Sequence, residues 1–353
     1  MGRPIASEPR FRHDQQARIA EAPPRTRGWG LDAAVRVFSL AAWCWRGVPI
    51  GIRRTVVNPD PAGIPAPTPR LDAAQLVDAL FRTHGIGLDL VGRAPGGEVG
   101  AAFVRWPDGR DAVLTRAGDG SAESAAALRA TADVLGLARS RGVPVPRYDL
   151  IAPVDGAHAV VQERLPGAVP HVVDARLVER MIAVTRTWSG LLAGRADLEP
   201  PTLHLTESGP GFCLHESLDR YDARTRRLLG QVRAVGREVD VLAGDDLVHL
   251  DFHPGNILVD AAGLITGVVD WDGWGRGDRW FSLEVLAFDL AWRRADVSVR
   301  DLLDELIAAA VDPSRLRAYR AHLSLRQVDW AIRHHGPGEV DAWLAIVADR
   351  LRP

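Results

Sequence analysis

One stretch constrains the fold of this chain more than any other: residues 247–272, LVHLDFHPGNILVDAAGLITGVVDWD. It is a β-like island inside a half of the chain whose apolar residues otherwise recur at helical spacing. Two apolar runs, 257–259 and 265–269, flank a Gly-containing turn and predict a hairpin. A hairpin brings its two ends together. At one end stand His249, Asp251 and, five residues past the aspartate, Asn256; at the other stands Asp270, fourteen residues past Asn256. Asp and Asn are common at turn ends, where they bond the local backbone. Two carboxylates and an amide oxygen converging on one loop mouth can do more. Asn256 and Asp270 offer the hard oxygen ligands that Mg²⁺ takes together with phosphate oxygens and water. Asp251 is left free to face an incoming hydroxyl. The set matches the phosphoryl-transfer template, in which a catalytic-loop Asp meets the acceptor while an Asn and a later Asp hold the metal on nucleotide phosphates. An aspartate near its ordinary pKa of ~3.9 is a weak base at neutral pH. That suffices where a loose transition state asks mainly for orientation and charge neutralisation.

The rest of the chain is compatible with such a site. Its 353 residues allow roughly two domains, and 46% hydrophobic with 25% charged residues exclude a disordered or collagen-like chain. The net charge of −2 gives no whole-chain attraction to nucleic acid or an anionic membrane. All 43 basic residues are arginine, so chemistry that needs a lysine amine, such as a Schiff base or a P-loop lysine, is excluded. Only Cys44 and Cys213 are present, which excludes a disulfide framework and a Cys-x-x-Cys metal site and fits a reducing cytoplasm. The apolar stretch at 41–45 is interrupted by Arg36 and Arg46, short of the ~18 apolar residues a spanning helix needs. No membrane span or signal peptide is expected, and the expected location is cytoplasmic.

Three segments follow from the pattern. Residues 1–70 read as an N-terminal extension with one candidate amphipathic helix at 31–45, a basic run at 46–54, and a semi-rigid linker through Pro59, Pro61, Pro65, Pro67 and Pro69. That helix suits packing on the main body, or a membrane surface or partner. Residues 71–165 are β-rich: a helix at 71–82, strands at 101–106 and 111–115 around Pro107-Asp108-Gly109, a helix at 124–139, and strands at 148–152 and 157–162. Residues 166–353 are largely helical. Val173, Leu177, Met181, Val184, Trp188 and Leu191 form one stripe of a long helix, and two further stripes run through Leu303, Leu306, Ile307 and Ala310 and through Val340, Trp343, Val347 and Leu351.

At HLDFHPGNILVD and GVVDWDGWGRGD the chain resembles the aminoglycoside phosphotransferase family, small-molecule kinases with a protein-kinase-like fold. GVPVPR and ERLPG resemble that family's N-lobe and hinge signatures, and the likeness spans about residues 72–350. The resemblance implies an α+β, two-lobed fold with a small β-rich N-lobe for nucleotide and a larger helical C-lobe for catalysis and substrate. It implies that Asp251 orients or deprotonates the acceptor hydroxyl and that Asn256 and Asp270 bind Mg²⁺. His249 would hold the catalytic loop, His253 and Asp278 would brace it, and Trp271 would replace the Phe-Gly of protein kinases. The turn containing Gly96, Gly97 and Gly100 would cover the triphosphate of ATP or GTP, and backbone groups around Glu163 and Leu165 would meet the adenine. The family's β3 cation is often lysine, and Arg116 is the residue the strand offers in its place; an arginine can bridge phosphate oxygens but is longer and planar. Where the family's partner glutamate stands, this chain has Thr131, and Glu123, two turns earlier, suits either a substitute or a solvent-facing helix start.

Two functional readings follow. One is a kinase that phosphorylates a hydroxyl of a small molecule; the other is a catalytically weak, kinase-like nucleotide- or ligand-binding protein, favoured by Arg116 and Thr131. Phosphoester hydrolysis is disfavoured, because nothing marks a second metal cluster. For the acceptor, Glu284, Asp289, Asp296, Asp301 and Asp304 could line an acidic pocket, though most suit solvated helix faces. Trp271, Trp274, Trp280 and Trp292 suit stacking on an apolar or quaternary-ammonium substrate, or the core.

Overall fold

The computed structural model describes residues 71–94 and 100–352, all within one compact unit. The expected helix, basic run and linker of residues 1–70 lie outside the described residues.

Helix α1 (Ala73–His84) starts where the Asp72 carboxylate accepts the Gln75 N–H and stops at Gly85, whose φ of +68° few other residues tolerate. Strands β1 (Asp89–Arg93), β2 (Ala102–Arg105) and β3 (Asp111–Ala117) follow, then helix α2 (Ala122–Ser140) and strands β4 (Tyr148–Val154) and β5 (Ala157–Glu163). The strands form one antiparallel sheet in the order β1-β2-β3-β5-β4. Period-two alternation decides which residues face which way. Val104, Ala112, Leu114, Ala159 and Val161 share a core with Leu76, Ala79 and Leu80 of α1. Val113 and Thr115 occupy the opposite face and are half-buried.

The remaining elements are α3 (Ala175–Arg186), α4 (His215–Tyr221), α5 (Ala223–Gly236), β6 (Asp246–His249), β7 (Ile257–Val259), β8 (Ile265–Val268), β9 (Trp274–Gly277), α6 (Trp280–Trp292), α7 (Val297–Ala310), α8 (Pro313–His334) and α9 (Pro337–Arg350). Every residue from Phe281 to Leu290 of α6 is buried, so this helix is the axis of a second, larger core. The predicted hairpin is β7 with β8, and β6 pairs with β9, a strand the sequence did not announce. The stripes on α7 and α9 bury Leu303 and Ile307, and Val340, Trp343 and Val347.

The long helix expected through Leu191 is shorter. α3 ends at Arg186, and Trp188 and Leu191, though buried, sit in the turns beyond it. The backbone there serves another partner: Gly190 N–H donates to Asp246 Oδ1 at 2.6 Å, Leu192 N–H to the Asp245 carbonyl at 2.9 Å, and Gly190 holds φ +62°. These bonds tether the start of β6 and cannot coexist with an unbroken helix.

Candidate active site

β6 ends at His249, and the chain bends through a one-turn 3₁₀ helix, Pro254–Asn256, into β7. His249 Nδ1 accepts the Asp251 N–H at 3.1 Å, so the ring proton sits on Nε2, which donates to the Val269 carbonyl at 3.0 Å. Its own N–H donates to Ser282 Oγ at 3.0 Å. Burial pushes the His249 pKa down to about 4, so the ring is neutral at physiological pH. With both nitrogens engaged, this side chain ties the backbone of Asp251 to the far end of the hairpin. His253, also fully buried, caps the 3₁₀ turn by accepting the Gly255 N–H on Nδ1, which leaves Nε2 3.5 Å from Asp251 Oδ2.

Asn256 Nδ2 donates to the Asp251 carbonyl at 2.9 Å and lies 3.5 Å from Asp251 Oδ2. That fixes the amide so that Oδ1 is the atom left for a ligand. The Asn256 carbonyl accepts the Val269 N–H at 2.9 Å, which sets Asp270 directly beside it. Asp270 holds φ +67°, a left-handed conformation uncommon outside glycine. The next residue secures it: Trp271 is buried, donates Nε1–H to the Val268 carbonyl at 2.9 Å, and packs 4.5 Å from the His249 ring and 5.7 Å from Trp188. Withdrawal from water, then the nearby carboxylates of Asp272 and Asp251, raise the Asp270 carboxyl well above its ordinary value, while Arg326 opposes them. A free amide oxygen beside a carboxylate crowded by others fits a hard divalent cation. Among the described residues no cluster of three His, Cys, Asp or Glu side chains could hold a metal by itself. Phosphate oxygens and water would have to complete its shell.

The other side of the site is sparser. The turn between β1 and β2 closes at the Ala94 N–H to Ala101 carbonyl bond, 2.9 Å; Gly96 and Gly97 lie outside the described residues, and Gly100 holds φ +87°. Arg116 alternates with Ala112 and Leu114, on the face packed by α1, and its Nη2 donates to the Asp155 carbonyl at 3.2 Å. The residue that alternates with Val113 on the opposite face is Thr115. On α2, Thr131 is buried, and its Oγ1 accepts the Trp274 Nε1–H at 2.8 Å. Glu123 is exposed in the first turn of α2, a position that suits the helix dipole. Glu163 donates its N–H to the Arg147 carbonyl at 2.8 Å and pairs with Arg139 at 2.7 Å. Leu165 packs over Gly267, where an added Cβ would meet its side chain at 2.9 Å. Ala168 and Val259 exchange N–H to carbonyl bonds at 3.0 and 2.8 Å, so the chain leaving β5 is bonded to the hairpin that carries Asn256 and Asp270.

Of the acids that could line a pocket or form solvated faces, four are engaged elsewhere. Glu284, fully buried, lies between Arg320 at 3.2 Å and Arg350 at 3.6 Å; Asp304 pairs with the same Arg350. Asp289 pairs with Arg293 at 2.6 Å, and Asp296 caps α7. Solvated faces were expected, yet Glu284 and Asp289 are core residues, because arginines from the same and neighbouring helices compensate them inside. Asp301 is exposed. Trp292 stacks on Trp343 with ring centroids 4.5 Å apart, and Trp280 lies under Arg279. Asp278 braces the loop before α6, accepting the Trp280 N–H at 3.0 Å and the Tyr319 hydroxyl at 2.9 Å.

The model of the APH phosphotransferase enzyme family matches residues 91–322, more than half of the chain, including His249, Asp251, Asn256 and Asp270. The chain belongs to the APH family. Among solved structures it is similar to an apo thermostable mutant of aminoglycoside phosphotransferase APH(4)-Ia, with a TM-score of 0.57 and 18% identity over 78% of this chain and 98% of that one. It is similar also to that enzyme's ternary complex with ADP and hygromycin B, with a TM-score of 0.55 and 18% identity over 79% and 98% of the two chains. At such identity the likeness shows the fold: this APH chain has the α+β, protein-kinase-like, two-lobed architecture that its motifs implied. No curated protein matches the sequence.

Three features of this APH chain escaped the sequence. Arg326, from α8, reaches Asp251; Thr115, not Arg116, holds the face of β3 away from α1; and Trp274 bonds Thr131. Only the second was within reach, since alternation from Ala112 and Leu114 assigns Arg116 to their face.

Proposed function

We propose that this chain transfers the γ-phosphoryl group of Mg·ATP or Mg·GTP to a hydroxyl of a small molecule. The observation that carries the reading is the convergence of Asp251, Asn256 and Asp270 on one loop mouth, with the Asp251 backbone pinned by His249 to the far strand. Asp251 receives and orients the acceptor hydroxyl. Asn256 and Asp270 are the oxygen ligands of Mg²⁺, which when bound neutralises phosphate charge. Gly96, Gly97 and Gly100 cover the triphosphate with backbone N–H groups, and backbone around Glu163 and Leu165 meets the base. Residues 71–165 serve as the nucleotide lobe and 166–353 as the catalytic and acceptor lobe, in a cytoplasmic protein.

Wild type and Asp251→Ala, compared for Mg²⁺-dependent phosphate transfer to a panel of aminoglycosides, macrolides, amino alcohols and sugars, test this reading. Turnover on at least one acceptor, lost in the variant with nucleotide binding retained, is expected. With Glu284 and Asp289 engaged by arginines, the acceptor is expected among compounds whose recognition needs no free carboxylate on α6. One observation favours the second reading, a nucleotide-binding protein without turnover: positions 115 and 131 are threonines, Arg116 is bonded to the Asp155 carbonyl, and Glu123 is exposed, so among the described residues no ion pair joins β3 to α2. Tight Mg·nucleotide binding with no turnover on the whole panel would select it.

A further inference from the structure

Arg326 is a guanidinium buried to 8% exposure in the middle of α8. Such a charge needs compensation, and helices usually supply it from an acid three or four positions away. Here those positions are His322, Leu323, Asp329 and Trp330, and Asp329 is engaged by Arg333 at 3.2 Å. Among the described residues the one ion pair Arg326 makes is with Asp251: Nη2 lies 3.4 Å from Oδ1. Nη1 donates to the Leu250 carbonyl at 2.7 Å, so a single planar fork grips the backbone before Asp251 and its carboxylate together. Asp251 Oδ2 faces Asn256 Nδ2 and His253 Nε2, each at 3.5 Å. The carboxylate is therefore bounded on one oxygen by a fixed cation and on the other by two N–H groups, with 13% of the side chain open to solvent.

We propose that Arg326 is a positioning residue for phosphoryl transfer, holding the Asp251 carboxylate in one orientation and supplying the site's permanent positive charge against Asp251 and Asp270. This rests on the phosphotransferase reading above. A catalytic carboxylate displaced by about 1 Å loses roughly 100-fold in rate. An arginine performs this task where a lysine would not, because a point charge cannot hold a carbonyl and a carboxylate at once.

The test compares Arg326→Ala and Arg326→Lys with wild type. Using an acceptor found in the panel, kcat is expected to fall about 100-fold in Arg326→Ala, with the Kd for Mg·ATP within about two-fold of wild type. Arg326→Lys should fall between, and added guanidinium should restore part of the Arg326→Ala rate but none of the Asp251→Ala rate. An unchanged kcat, or equal losses in kcat and nucleotide affinity, overturns the proposal. Should no acceptor be phosphorylated, the function reading fails by itself, and Arg326 is judged by thermal unfolding of Arg326→Met, Asp251→Asn and the double variant. Non-additive shifts in Tm support the pairing on which the proposal stands; additive shifts overturn it.

Discussion

The two sides of the candidate site are built to different standards. On the side proposed to be catalytic, His249, His253, Asn256 and Arg326 all lie against Asp251 or its backbone, and the loop is bonded at both ends of the hairpin. On the side proposed to hold nucleotide, Arg116 points at the Asp155 carbonyl, Thr115 faces the other way without a charge, and Thr131 holds an indole. The lesson is about what each half must do. Positioning a hydroxyl demands fixed geometry, whereas a triphosphate with its metal can be held by many weaker backbone contacts.

Breaking the tightly built side should have the largest effect. Asp251→Asn keeps the shape and removes the charge, and steady-state kinetics should show turnover reduced on the order of 10³-fold with nucleotide affinity nearly intact. A separate effect, on stability and not on turnover, is expected from pH. Burial pushes His249 and His322 down to about 4, from an ordinary value near 6.5. The unfolded chain therefore binds protons that the folded one refuses. Their stabilisation is complete above about pH 6.5 and is lost progressively as pH falls toward 4, at about 1.4 kcal/mol for each unit of depression per group. Tm measured across that range should drop, and less steeply in His249→Gln.

The sparse side should respond in the opposite sense. Thr115→Lys restores a cation on the face away from α1, and calorimetric titration should show Mg·ATP binding roughly ten-fold tighter. Arg116→Lys, on the other face, should leave affinity within about two-fold. Equal responses at the two positions would break the contrast drawn from strand alternation. The smallest effect belongs to Thr131→Val, which removes the acceptor of the Trp274 indole N–H and should lower stability by about 1 kcal/mol in denaturant unfolding.

The same contrast governs what the sequence made legible. His249, Asp251, Asn256 and Asp270 lie within 22 residues of each other, and the hairpin that unites them is local, so motif and geometry coincide. Arg326 is 75 positions from Asp251, and Trp274 is 143 from Thr131; no spacing rule connects them, only the packing of α8 and α2. Glu284 looks like part of a polar helix face until Arg320 of α8 and Arg350 of α9 are brought against it, whereas the partner of Asp289, Arg293, stands only four positions on. α3 stopped short for a similar reason, because the bonds that end it reach forward to residues 245 and 246.

The left-handed backbone of Asp270 changes how this residue can be interrogated. Alanine there would remove a carboxylate and also ask a Cβ-bearing residue without a polar side chain to keep φ +67°, a conformation costing roughly 1 kcal/mol or more. Glycine would accept the angle but loosen the link to Trp271. Asparagine tolerates the conformation and fills the same volume, so it tests the carboxylate, its charge and its second oxygen, without a change of backbone.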